Sequence, residues 1–170
     1  MWDLPEPFTI ELTVEDDDID DYGHTNNAVY LKWLDRVAWA HADAVGTGPD
    51  VHQEMRRGMA MQRTELQYIA PAFGGDRLLI GDWIVFSSGR VRAQRRFQIV
   101  RPADGATLLR ALGMYVCIAL DSGKPARMPT SYRARYVVLP AVENALARET
   151  WPFSISPSPQ PAAGERPRRT

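Results

Sequence analysis

Apolar and polar side chains alternate over residues 8–14, with Phe8, Ile10, Leu12 and Val14 on one face, which is the period of a half-buried strand. From 27 to 45 the period lengthens to that of a helix. Lys32, Asp35, Arg36 and Asp43 fall along one narrow stripe, while Val29, Tyr30, Trp33, Leu34, Val37, Ala38 and Ala44 fill the rest. A polar stripe so narrow predicts a helix wrapped on most sides by other structure. Thr25 or Asn26 can act as its N-cap, and Gly46 can end it in the left-handed conformation.

At 1.5 Å per residue this helix is a rod of roughly 28 Å, which takes five or six strands about 4.8 Å apart to cover. The following sequence supplies that number. Residues 60–68, 77–86, 91–101 and 107–120 each read as extended, divided by Pro71-Ala72-Phe73-Gly74-Gly75-Asp76, Ser87-Ser88-Gly89 and Ala103-Asp104-Gly105. Such short connections predict antiparallel hairpins, so the pattern describes an α+β protein: one long helix packed on an antiparallel meander. A second helix is expected over 141–149. Beyond Trp151 five prolines interrupt a run of serine, alanine and arginine, the composition of a flexible tail over 151–170.

Composition narrows the function classes. With 20 basic and 21 acidic residues among 170, the formal net charge is -1, and nothing in that balance predicts a nucleic-acid surface. Cys117 is the only cysteine and sits in an apolar run, so it is expected in the core rather than in a disulfide. No apolar run approaches the roughly 20 residues of a membrane span. The first seven residues have neither the basic start nor the apolar stretch of a signal peptide, and the expected location is cytoplasmic. His24, His41 and His52 lack a paired metal-ligand spacing, and there is no G-x-S-x-G elbow or phosphate-binding glycine loop. Neither a metal nor a cofactor is expected.

The chemistry concentrates between 18 and 33. An acidic loop feeds directly into the helix start, where a carboxylate and free backbone N–H groups can converge on one polarised carbonyl. Read singly, Asp18, Asp20 and Asp21 suit a solvated loop and Asn26 a helix cap. Their joint spacing, Asp18-x-Asp20-x-x-Gly23-His24-x-Asn26-Asn27-x-x-Tyr30-x-x-Trp33, resembles the hotdog-fold acyl-CoA thioesterases, the group containing 4-hydroxybenzoyl-CoA thioesterase. The resemblance implies a hotdog fold, with a sheet of five to six strands wrapped around one central helix, as a single domain over residues 1–150. It implies hydrolysis of acyl-CoA to a free acid and CoA, by subunits paired as a homodimer or homotetramer.

By the same resemblance Asp20 is the catalytic carboxylate, acting as nucleophile or as base toward water, and the Asn27 N–H polarises the carbonyl. Gly23 allows the sharp turn, His24 orients Asp20 or lines the pocket, and Asn26 and Tyr30 border the substrate. Strong protonation of the leaving group is dispensable, since a thiol of pKa about 8.5 departs readily. The strand carrying Arg90, Arg92, Arg95 and Arg96 offers Arg95 and Arg96 as contacts for CoA phosphates. Alternating arginine on a strand is also the mark of a solvated face or a guarded edge. Two alternatives remain open at this level: hydrolysis of acyl carrier protein thioesters, and a non-catalytic acyl-CoA-binding or regulatory domain of the same fold.

Overall fold

A computed structural model describes residues 1–148, so the expected tail at 151–170 and the last residue of the expected second helix lie outside the described residues. Five strands form one antiparallel sheet: β1 (Phe8–Thr13), β2 (Arg57–Tyr68), β3 (Arg77–Ser87), β4 (Arg92–Arg101) and β5 (Ala106–Ala119). All five fall where alternation and turn residues place them. The long helix α1 (Asn27–Ala44) follows β1, with Asn26 as its N-cap: the Asn26 side-chain oxygen accepts from Ala28 N at 2.9 Å. Gly46, at φ +71°, turns the chain away from its end.

Spatial order departs from the expected meander. The strands run β1-β3-β4-β5-β2, so β2 and β3 are not neighbours and the connection after β2 is a crossover rather than a hairpin. Residues 69–76 cross the end of the sheet past three strand spacings, about 14 Å, which eight residues span easily. Turn residues mark where a strand stops. They do not choose its neighbour.

The apolar side of α1 (Val29, Tyr30, Trp33, Leu34, Val37, Ala38) packs on Leu78, Ile80, Phe97, Ile99, Leu109 and Ala111 of the sheet. The opposite side is wider open than its narrow polar stripe predicts. Ala28, Leu31, Trp39 and Ala44 are exposed beside Lys32, Asp35 and Arg36, because the sheet covers the helix from one side only. The sheet's outer face is covered too. Leu4, Trp83, Val85, Leu112 and Val142 bury one another there, and Val142 comes from α4 (Pro140–Leu146), which realises the second helix. Two short helices, α2 (Pro49–Met55) and α3 (Thr130–Arg133), complete the described chain and were not foreseen by the periodicity. Cys117 is buried, as expected, and burial raises its thiol pKa.

The arginine strand is the largest correction. β4 lies in the middle of the sheet, covered on both faces, so it is neither a solvated face nor an edge. Arg95 and Arg96 are each only 2% exposed. Arg95 points to the helix side and is ion-paired with Asp82 of β3, and Asp82 also binds His41 Nδ1 of α1 at 3.0 Å.

Candidate active site

The ends of β1 and β2 and the start of β3 lie at the same end of the antiparallel sheet, and the start of α1 meets them there. Between them the acidic segment forms a tight loop closed by a bridge between Ile19 and Thr25. Asp20 N donates to His24 O at 2.8 Å, and Gly23 N donates to Asp20 O at 2.9 Å. Gly23 has φ +77°, a conformation that side chains disfavour, with open space where a Cβ would stand. Its role is therefore the backbone turn itself.

The turn fixes the Asp20 carboxylate. Oδ1 accepts from Tyr22 N at 2.9 Å and from His24 N at 3.4 Å, the local capture by which aspartate favours such turns. Among the described residues no protein donor meets Oδ2. His24 holds Asp20 through its backbone, while its ring packs edge-on against Phe73 with centroids 5.4 Å apart. Asp18 is structural: Oδ2 accepts from Glu15 N at 3.1 Å and its carbonyl accepts from Asn26 N at 2.8 Å.

Three side chains tie this loop and the helix start to the crossover after β2. Thr25 gives both its N–H and its hydroxyl to Ala72 O, at 3.0 and 3.1 Å. Ala72 N donates to the Tyr30 hydroxyl at 3.0 Å, and burial raises the Tyr30 pKa, so the phenol stays neutral. The Tyr68 hydroxyl donates to Asn27 O at 2.9 Å, and its ring stands edge-on to Tyr30 with centroids 5.4 Å apart.

These elements enclose a cleft of about 350 Å³ whose lining includes Asp20, Tyr22, His24, Asn27, Tyr30 and Tyr68. At the helix start Ala28 N and Val29 N are satisfied by Asn26. Asn27 N meets no acceptor among the described residues, so it remains available at the positive end of the helix dipole. Asp20, His24, Asn27 and Tyr30 thus share one cavity. Gly23 and Asn26 do not line it; Gly23 makes the turn and Asn26 caps the helix. Arg95 and Arg96 do not line it. Tyr22, Thr25 and Tyr68 join the site without having been singled out for it. Tyr68 and Ala72 escape a local reading because they lie more than forty residues from the groups they hold.

A carboxylate pinned by one oxygen and an open N–H at a helix start, lining one cavity, are groups that can act as base or nucleophile and as oxyanion donor. The profile of the thioesterase-like superfamily matches residues 14–137. A chloroplast acyl-acyl carrier protein thioesterase of Arabidopsis thaliana is 26% identical over 137 residues, covering 79% of this chain and 70% of that protein. Among solved structures, a 1,4-dihydroxy-2-naphthoyl-CoA thioesterase from Synechocystis superposes with a TM-score of 0.69 at 23% identity, covering 77% of this chain and 96% of the other. A Staphylococcus aureus protein solved in complex with CoA gives 0.71 at 17% identity, covering 88% and 91%. At these identities the structural likeness is one of fold. The profile match spans most of the chain, which therefore belongs to the thioesterase-like superfamily and has the hotdog fold.

Proposed function

We propose that this protein hydrolyses acyl thioesters, with Asp20 as base or nucleophile and Asn27 N–H as the oxyanion donor. The observation that carries this reading is the shared cleft: Asp20 and Asn27 line it together. Tyr22 N and His24 N hold Oδ1, leaving Oδ2 to face a water or the carbonyl carbon. As base, Asp20 takes a proton from water while the new C–O bond forms and negative charge moves to the carbonyl oxygen. The tetrahedral intermediate collapses by breaking the C–S bond, and the thiolate takes up a proton. As nucleophile, Asp20 attacks the carbonyl carbon and the C–S bond breaks, so the thiolate leaves and takes up a proton; water then opens the mixed anhydride, releasing the acid and restoring the Asp20 carboxylate. Both routes end in a carboxylic acid and a free thiol.

Coenzyme A is the favoured carrier, since the motif around Asp20 resembles acyl-CoA thioesterases and a fold neighbour was solved with CoA. Acyl carrier protein is the second reading, favoured by the Arabidopsis relative. Burial argues against a phosphate-binding role for Arg95 and Arg96. Thiol release from acyl-CoAs and acyl carrier protein thioesters tests the reading. Turnover that Asp20→Asn abolishes supports it, and a protein inert on both carriers returns the question to a binding or regulatory domain.

A further inference from the structure

A second cavity, of about 70 Å³, opens on the same helix toward its C-terminal end, against Ala38, Trp39, Met59, Arg95, Tyr115 and His52. It is larger than the roughly 10–15 Å³ that one water needs, and its polar groups are unusual. Tyr115 is 8% exposed, His52 6% and Arg95 2%. The Tyr115 hydroxyl and His52 Nε2 are buried with no hydrogen-bond partner among the described residues, and such an atom destabilises the fold unless something fills its valence. Burial raises the Tyr115 pKa and lowers that of His52, so both groups are neutral near pH 7. The Arg95 charge is matched by Asp82, and its guanidinium lies over the rings of Tyr115 and Tyr136. The cavity thus joins apolar walls to the ion-paired Arg95 and, at one side, the carboxylate of Asp35, which disfavours an anionic ligand, and it leaves two neutral hydrogen-bonding groups open.

Its position relates it to the reaction. Tyr30 lines the cleft of Asp20 and Ala38 lines this cavity. Eight residues of one helix separate them, about 12 Å along its axis. An acyl chain laid along α1 with its carbonyl at Asp20 carries its far end toward Met59 and Met61, whose unbranched side chains adapt to varied shapes. We propose that this cavity receives the distal part of the acyl group and selects chains bearing a neutral oxygen, a hydroxyl or a ketone, which Tyr115 and His52 hydrogen-bond. The proposal rests on the thioesterase reading for the position of the acyl carbonyl.

The test uses non-hydrolysable thioether analogues of acyl-CoA in matched pairs, plain and distally hydroxylated or oxo, over graded chain lengths. Affinities are measured by calorimetry for the native protein and for Tyr115→Phe. The native protein binds the oxygenated member about three- to tenfold more tightly at the length that reaches the cavity, the factor one neutral hydrogen bond supplies. Tyr115→Phe brings that ratio close to one, and its thermal midpoint does not fall, because the lost hydroxyl has no partner within the protein. Distal carboxylates bind no better than plain chains. Equal affinities at every length, a preference that survives Tyr115→Phe, or a preference for the carboxylate would each overturn the proposal; in the first case the cavity simply holds water. Hydrolysis of the matching thioesters is scored separately: absent turnover with the binding preference intact would remove the Asp20 reading alone.

Discussion

Asp20 is one of six aspartates and glutamates within the seven residues 15–21, and what distinguishes it from the others is local geometry. Its neighbours Asp18 and Glu15 cap a 3-10 turn at Asp16–Asp18, whereas Asp20 is held by one oxygen at the cleft. The placement of Asp20, Gly23 and Asn26 was legible in the motif spacing, because the hydrogen bonds that place them are made within the loop and the first turn of α1. Tyr68 was not legible, since only the crossover brings it to the helix start. Its hydroxyl bond to Asn27 O holds the peptide group that follows the proposed oxyanion donor, and through the Asn27 backbone we expect Tyr68 to position that N–H. Tyr68→Phe keeps the ring against Tyr30 and removes that bond. Steady-state kinetics should show kcat falling about three- to tenfold with KM nearly unchanged, as for an interaction that matters chiefly in the transition state. An equal loss in KM alone would make Tyr68 a plain wall residue.

At the scale of elements, β4 shows why alternation is an incomplete guide. Charged residues at every second position read as a solvated strand, yet the order β1-β3-β4-β5-β2 puts β4 at the centre. Neither the crossover nor the covering of the outer face by α4 is written in local periodicity. What burial of Arg95 requires is a partner, and Asp82 on the adjacent strand supplies it, completely buried itself. Asp82→Ala leaves that guanidinium uncompensated and should cost about 3–5 kcal/mol in urea unfolding. Replacing both at once, Asp82→Leu with Arg95→Met, should recover much of that loss, because a buried ion pair repays little beyond its own desolvation. A double variant as unstable as Asp82→Ala would show that the pair contributes net stability. The strands themselves were legible because each ends in strong turn chemistry; their neighbours were not.

For the whole molecule, the described residues leave the outer edges of β1 and β2 and the face of α1 bearing Leu31 and Trp39, 38% and 41% exposed, without a covering element. Free strand edges and an apolar helix face invite a second copy, and the expected state is a homodimer or a dimer of dimers. Sedimentation equilibrium should give twice or four times the 19.1 kDa chain mass, and a monomer at micromolar concentration would contradict it. An assembly of that kind would also enclose the cleft and the second cavity further, since both open beside α1. The proposed reaction turns on the Asp20 carboxylate. The measurement that tests it most directly is thiol release from a panel of acyl-CoA and acyl carrier protein thioesters by the native protein and by Asp20→Asn, with matched oligomeric state. Turnover is expected on at least one carrier, with a fall of about 10²-fold or more in kcat for the variant, the scale of a lost general base. Turnover undiminished by Asp20→Asn would contradict it.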